Sequence, residues 1–348
     1  MHIVCFQHPE PLRPRQRLIP AFIPFAGCPG RCIYCAQHEQ TGEFGGSVQK
    51  SLARLEADLA ARQRKGQTGA QLAFYGGTFT ALPDRWQRRF LLLAEKYRDK
   101  GLIHHVRCST RPDCIDRTGL KTLKEMGLDM VELGVQSFCD PVLQKSGRGH
   151  SSKDSELACA LIRRSGLELG LQMLPGLPGH TPAQFMQDMD RVARLAPSTL
   201  RIYPCLVIGK TELTRMWERG EYAPWGLKKT IHVVSLALPS LWERGIAVIR
   251  IGLAPEKTML AGLRAGPWHP AMGSICRGRA LKDIFLTRAA AMPAGVSRVL
   301  LPKKYVSDFW GYRGENKKDL RRAGLNPAGV KTHKDRSFVL IGPTPRGE

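Results

Sequence analysis

Apolar positions along this chain repeat with two alternating periods. Val48, Leu52, Leu55 and Leu59 recur at helical spacing with Arg and Lys between them, predicting an amphipathic helix from about 47 to 64. Gln71-Leu-Ala-Phe-Tyr75 reads as a buried strand that ends in Gly76-Gly77. Trp86, Phe90, Leu93 and Tyr97 mark the next helix, which follows Pro83 and stops at Gly101. A strand from His104 to Cys108 leads to a helix capped by Asp116, with Leu120, Leu123 and Met126 inward and Gly127 as its stop. The same rhythm gives strands at Met130 to Val135, Leu167 to Leu174, Leu200 to Tyr203 and Ala247 to Ile251. Helices are expected at about 153 to 165, after the Thr181-Pro-Ala-Gln184 capping box, and from about 228 to 243. Strands that alternate with helices imply a parallel sheet covered by helices, with active sites at the carboxyl ends of the strands. The unusual residues of this chain cluster at those ends.

From about residue 254 the alternation stops. Gly266-Pro-Trp-His-Pro270 is a loop signal, and Phe338-Val-Leu-Ile341 can supply one further strand. The division expected is a core over 1–253 and a basic C-terminal extension or small subdomain over 254–348. Residues 301–348 carry 11 Lys and Arg against 5 Asp and Glu.

Composition sharpens this reading at two points. The 348 residues are 43% hydrophobic, enough for a full core without staples. Ten cysteines are scattered, with no second C-x-x-C pair, which argues against a secreted disulfide framework and for a reducing cytoplasm. Outside the loop described next, the cysteines are expected to be buried small hydrophobes. The N-terminus has no signal-peptide pattern, and no stretch approaches a membrane span, so no membrane partner is expected. Fifty-three Lys and Arg against 30 Asp and Glu give a formal net charge of +23, a field that attracts polyanions, RNA first among them. A merely basic surface is the plain alternative.

The chemistry concentrates in Phe25-Ala-Gly-Cys-Pro-Gly-Arg-Cys-Ile-Tyr-Cys35. Cys28, Cys32 and Cys35, in a C-x3-C-x2-C pattern on a glycine-rich turn, can converge on one inorganic centre. A cubane cluster usually takes four cysteines, so three would leave one iron open to a further ligand. A Cys3His zinc site completed by His38 is the alternative. Gly76-Gly-Thr-Phe-Thr80, Ser109-Thr-Arg-Pro-Asp113 and Val131-Glu-Leu-Gly-Val-Gln-Ser137 place polar residues in or after apolar runs, which is costly unless they are paired.

The cysteine loop, with Tyr34 before its last cysteine, resembles the signature of the radical SAM superfamily. The phrases at the strand ends, with Leu174-Pro-Gly-Leu-Pro-Gly179, Arg201-Ile-Tyr-Pro-Cys-Leu-Val207 and Gly266-Pro-Trp-His-Pro270, are similar to the Elp3-like branch typified by the Elongator catalytic subunit, from about residue 18 to 275. The resemblance implies a partial (β/α) TIM-type barrel with a [4Fe-4S] cluster on Cys28, Cys32 and Cys35. It also implies S-adenosyl-L-methionine on the open iron, cleaved reductively to a 5'-deoxyadenosyl radical. The cofactor-binding residues it implies are Gly76, Gly77, Thr78, Ser109, Gln136, Arg148 and Gln172, with Arg148 on the methionyl carboxylate and the two glutamines on the ribose. No residue is assigned to the hydrogen-abstraction step.

Two departures from the Elongator subunit stand out: no length remains for its acetyltransferase domain, and the first two cysteines are spaced more closely. The expected activity is a radical SAM reaction in tRNA modification, with tRNA or another RNA as partner and a donor such as ferredoxin or flavodoxin supplying electrons. Trp310 and Tyr312 are candidates for RNA stacking or for the core of the C-terminal part. The alternatives are a coproporphyrinogen-oxidase-like enzyme acting on a porphyrin or other small molecule, and a zinc-stabilised RNA-binding protein.

Overall fold

Seven strands form one parallel sheet: β2 (Arg17–Phe22), β3 (Ala70–Tyr75), β4 (Ile103–Thr110), β5 (Met130–Gln136), β6 (Glu168–Met173), β7 (Thr199–Ile202) and β9 (Ala247–Ile251), paired in that order. The sheet curls without closing, as a partial barrel, and β8 (Val207–Ile208) and β10 (Leu263–Ala265) form a separate antiparallel pair. This is a computed structural model, and it describes residues 2–11, 17–23, 25–30, 32–37, 47–292 and 295–343. Among them, no helix is long and apolar enough to cross a membrane.

The six strands read from the pattern all form, within a residue or two of their expected ends. So do the helices that cross between them, and their caps show why. Ser47 accepts from the Lys50 amide and Asp116 from the Gly119 amide, while Thr181 and Gln184 close a reciprocal capping box ahead of Pro182–Leu195. Each crossover helix turns one apolar face to the sheet: Leu52, Leu55 and Leu59 for α1 (Val48–Arg64), and Phe90, Leu93 and Tyr97 for α2 (Asp84–Arg98).

The periodicity did not mark β2, whose Leu-Ile-Pro-Ala-Phe run contains Pro20. Proline lacks the N–H a central strand must donate, and β2 is the edge strand, where that donor is dispensable. Also unmarked was β1 (Ile3–Gln7). It joins a second, four-stranded sheet of order β1-β13-β11-β12 with β11 (Arg298–Pro302), β12 (Val330–His333) and β13 (Ser337–Ile341). Here Phe338-Val-Leu-Ile341 forms the expected strand, pairing antiparallel with the N-terminal residues. We therefore propose that the C-terminal subdomain includes the first strand of the chain.

A 19-residue helix, Met272–Ala290, connects the two bodies. Met272, Ile275, Cys276 and Ala280 pack in the barrel core, whereas Leu281, Phe285 and Ala289 pack in the C-terminal one. Its apolar surface changes side halfway, so it shows no single amphipathic stripe. Trp310 packs against the C-terminal core and Tyr312 against the barrel core, edge-on to His269 at 5.2 Å between ring centroids. Of the scattered cysteines, Cys108, Cys159, Cys205 and Cys276 are buried as expected, but Cys114 and Cys139 are only half-buried and Cys5 on β1 is exposed.

Candidate active site

At the carboxyl ends of the barrel strands lies a cavity of about 520 Å³. Its lining includes Cys28, Cys32 and Cys35 from the loop after β2, and Gly76, Gly77 and Thr78 from the loop after β3. The later strands contribute Ser109, Gln136, Arg148 and Gln172. Every site residue expected from the sequence therefore lines one space.

The cysteine loop is held in place mainly by backbone. The Thr78 amide donates to the Ala26 carbonyl at 2.8 Å and the Ile23 amide to the Tyr75 carbonyl at 2.8 Å. A Cβ on Gly77 would sit 2.1 Å from the Ala26 carbonyl oxygen, and one on Gly27 2.3 Å from that of Thr78. The two loops touch main chain to main chain, and only glycine permits that approach. Gly77 thus has a packing role that its sequence motif did not disclose.

The three thiols meet different neighbours. Cys28 Sγ is 3.3 Å from Thr78 Oγ1. Arg148 donates to Cys32 Sγ at 3.2 Å and, through its other terminal nitrogen, to the Gly134 carbonyl at 2.5 Å. Burial, reinforced by the nearby Cys32 and Cys28, pushes the Cys35 thiol up to about 12. Burial disfavours the Cys35 thiolate on its own, and coordination to a metal centre is what would hold it deprotonated. Among the described residues, no group of three or more His, Cys, Asp and Glu is gathered as a single metal ion requires. His38, the fourth ligand of the zinc alternative, lies outside the described residues. The donor set, three cysteines and an arginine facing one cavity, fits an anionic iron-sulfur cluster with an open position.

Opposite the cysteines, Gln172 Nε2 donates to Ser109 Oγ at 3.0 Å. Gln136 ends β5 with φ +70°, in the left-handed region unusual for a residue with a side chain, and the ladder shifts register between Gly134 and Gln136. Its Oε1 is buried without a partner. A strained backbone that presents an unpaired buried acceptor at a cavity wall suits a residue awaiting a ligand donor.

Deeper in the barrel, Glu132, 1% exposed, lies 3.3 Å from Arg107 and 3.0 Å from Arg201. Arg201 also donates to the hydroxyls of Tyr203 and Tyr75. Glu132, a polar residue in an apolar strand, is therefore satisfied by two ion pairs. Sequence reasoning missed Arg111: it forks onto Asp113 at 2.9 and 2.7 Å and points its third nitrogen at Cys32 Sγ, 3.9 Å away. The Ser109-Thr-Arg-Pro-Asp113 phrase was its only signal. His150, buried beside this pair, is lowered to about 4 by burial and by the Arg148 charge.

Comparison with known proteins places these features in a family. The Radical SAM superfamily matches over residues 22–192 and the Radical_SAM C-terminal domain over 197–280. The tRNA uridine(34) acetyltransferase of Methanocaldococcus infernus is 30% identical over 265 residues, 65% of this chain and 49% of that protein. The heme chaperone HemW of a Synechocystis species is 26% identical over 209 residues, 58% of this chain and 51% of that protein. The chain thus spans about half the length of the curated relatives it matches. In fold, it is similar to the archaeal Elp3 of Methanocaldococcus infernus with an N-terminal deletion, at a TM-score of 0.61 and 23% identity over 77% of this chain and 63% of that one.

Proposed function

This chain belongs to the radical SAM superfamily, and on that premise we propose that its barrel mouth binds a [4Fe-4S] cluster and S-adenosyl-L-methionine and serves in tRNA modification. The observation that carries the reading is the convergence of Cys28, Cys32 and Cys35 with Gly76, Gly77, Thr78, Ser109, Gln136, Arg148 and Gln172 on one cavity. When bound, the pair supplies a 5'-deoxyadenosyl radical after one-electron reduction by a ferredoxin- or flavodoxin-type donor.

The chain's own residues hold and orient. Cys28, Cys32 and Cys35 ligate the cluster, and Arg148, already donating to Cys32 Sγ, neutralises charge where the methionyl carboxylate is held. Gln136 accepts a ribose hydroxyl on its unpaired Oε1, and Gln172 contacts the ribose from beside Ser109. The loop carrying Gly76, Gly77 and Thr78 offers backbone groups to the amino end. Arg111, locked by Asp113, fixes the far side of Cys32. Support for an RNA substrate comes from the +23 charge and from similarity to a tRNA-modifying enzyme, and a cytoplasmic location follows from that substrate.

The test is 5'-deoxyadenosine formation by anaerobically reconstituted protein with a strong reductant, alone, with bulk tRNA, and in the Cys32→Ala variant. The expected outcome is product from the wild type, none from the variant, and a rate that changes with tRNA. Wild-type protein that carries a full complement of iron and sulfide yet forms no product with any addition overturns the reading. The similarity to a heme chaperone keeps one second reading specific, and a response to a porphyrin instead of tRNA would favour it.

A further inference from the structure

Away from the barrel mouth, a second cavity of about 470 Å³ opens where three separate stretches of chain meet: Gln7, His8 and Glu10 at the end of β1, Pro302 to Tyr305 at the end of β11, and Lys334 to Arg336 between β12 and β13. Four of its lining residues are exposed cations: Lys303, Lys304, Lys334 and Arg336. None of the four makes an ion pair among the described residues. Both acids of the lining have partners: Glu10 pairs with Arg277 at 3.0 Å, and Asp335 lies at hydrogen-bond distance from His333 Nδ1, 3.2 Å. The floor is closed: His8 stacks on Tyr305 with 4.4 Å between ring centroids, and both rings are buried. His8 Nδ1 accepts the Glu10 amide at 3.0 Å, which leaves any proton of the neutral ring on Nε2, an atom without a partner.

We propose that this cavity is a phosphate-docking site for the RNA backbone, separate from the site of chemistry. Four cations without ion pairs among the described residues, brought together from two segments on a concave surface against one lining acid that no lysine or arginine offsets, suit a phosphodiester. The two aromatic rings lie beneath the surface, stacked on each other, and so are closed to base stacking. The contact is therefore to phosphate and not to bases, so it positions a substrate without reading its sequence. Because β1 and the β12–β13 loop both belong to the C-terminal sheet, that subdomain acquires a role in holding the RNA whose target base enters the barrel mouth. This rests on the RNA reading given above.

Binding of bulk tRNA to the full-length reconstituted protein, measured over a range of salt, tests both ideas separately. The triple variant Lys303→Ala, Lys334→Ala, Arg336→Ala is compared with a control of equal charge loss on the barrel exterior, Arg64→Ala, Lys65→Ala, Lys121→Ala. The cavity variant is expected to lose roughly tenfold in affinity near physiological salt and to flatten the log–log salt slope by about 2, three cations at about 0.7 each. The control should change both far less. If wild-type protein binds tRNA and the two triple variants weaken it equally, net charge alone is at work and the docking site is refuted, while the RNA reading stands. If wild-type protein binds no tRNA at all, the RNA reading fails and the docking site with it.

Discussion

Inside the barrel the charges are sunk and shared, whereas around the C-terminal cavity the lysines and the arginine stand in water without ion pairs among the described residues. Glu132, 1% exposed, serves both Arg107 and Arg201, and Arg111 is locked onto Asp113. Lys303, Lys304, Lys334 and Arg336 are exposed and make no ion pair among the described residues. Buried charges that satisfy one another fix geometry to a fraction of an ångström, as chemistry on a bound cofactor demands. Exposed ones keep their hydration on folding and stay available to a mobile polyanion. The two regions nonetheless have one device in common, a histidine kept neutral by burial, His150 at the mouth and His8 under the cavity.

The largest effect is expected at Glu132. Glu132→Ala leaves two buried guanidiniums without their carboxylate and is expected to cost about 3–5 kcal/mol in urea unfolding. A loss below about 1 kcal/mol would mean that the network is far better hydrated than its burial indicates.

The paired histidines come next. Burial, with Arg148 for His150 and with Lys304 and Arg277 for His8, lowers each from 6.5 to about 4 in the folded state. The unfolded chain then binds the extra protons, so the stability they confer is complete above pH 6.5 and is lost as pH falls toward 4, at up to about 1.4 kcal/mol per pH unit for each. His150→Gln and His8→Gln should each flatten the acid limb of a stability profile. A limb unchanged in either variant assigns the acid sensitivity to other groups.

Gly77→Ala sharpens the contrast between interlocked backbone and open loop. Its Cβ meets the Ala26 carbonyl oxygen, and the expected cost is about 1–3 kcal/mol with a matching loss of bound iron after reconstitution. Gly30→Ala, whose Cβ has nothing within 4 Å, should retain iron like the wild type. Equal iron in both variants would show that the loop finds another packing. The smallest effect belongs to the exposed cations: Lys334→Ala should move unfolding stability by no more than about 0.5 kcal/mol, so a larger shift would reveal a structural role for that lysine.

Much of the barrel was legible because each of its elements buries one face against one neighbour. A strand covered on both sides reads as an apolar run, and a crossover helix reads as one stripe ended by glycine. The elements that escaped break that condition. Pro20 disguised an edge strand, and β1 pairs with residues more than 300 positions away, a partnership invisible in a local window. Met272–Ala290 divides its apolar surface between two cores. The candidate site was legible as far as residue types and spacing reach, because the cysteines and strand-end phrases are local. Arg111 and the packing role of Gly77 were not, since each depends on a second loop.

By itself, then, the sequence determined the period of each element, the position of each cap, the three-cysteine loop and the excess of positive charge. These depend on neighbours within a few residues, where covalent geometry and propensity act directly. Only the tertiary structure decided that the cysteine loop locks onto Gly77 and that Glu132 is divided between two arginines. It alone brought three segments, two of them basic, around one cavity over a buried His8–Tyr305 stack. Those outcomes arise from side chains far apart in the chain competing for the same buried space, which no local pattern records.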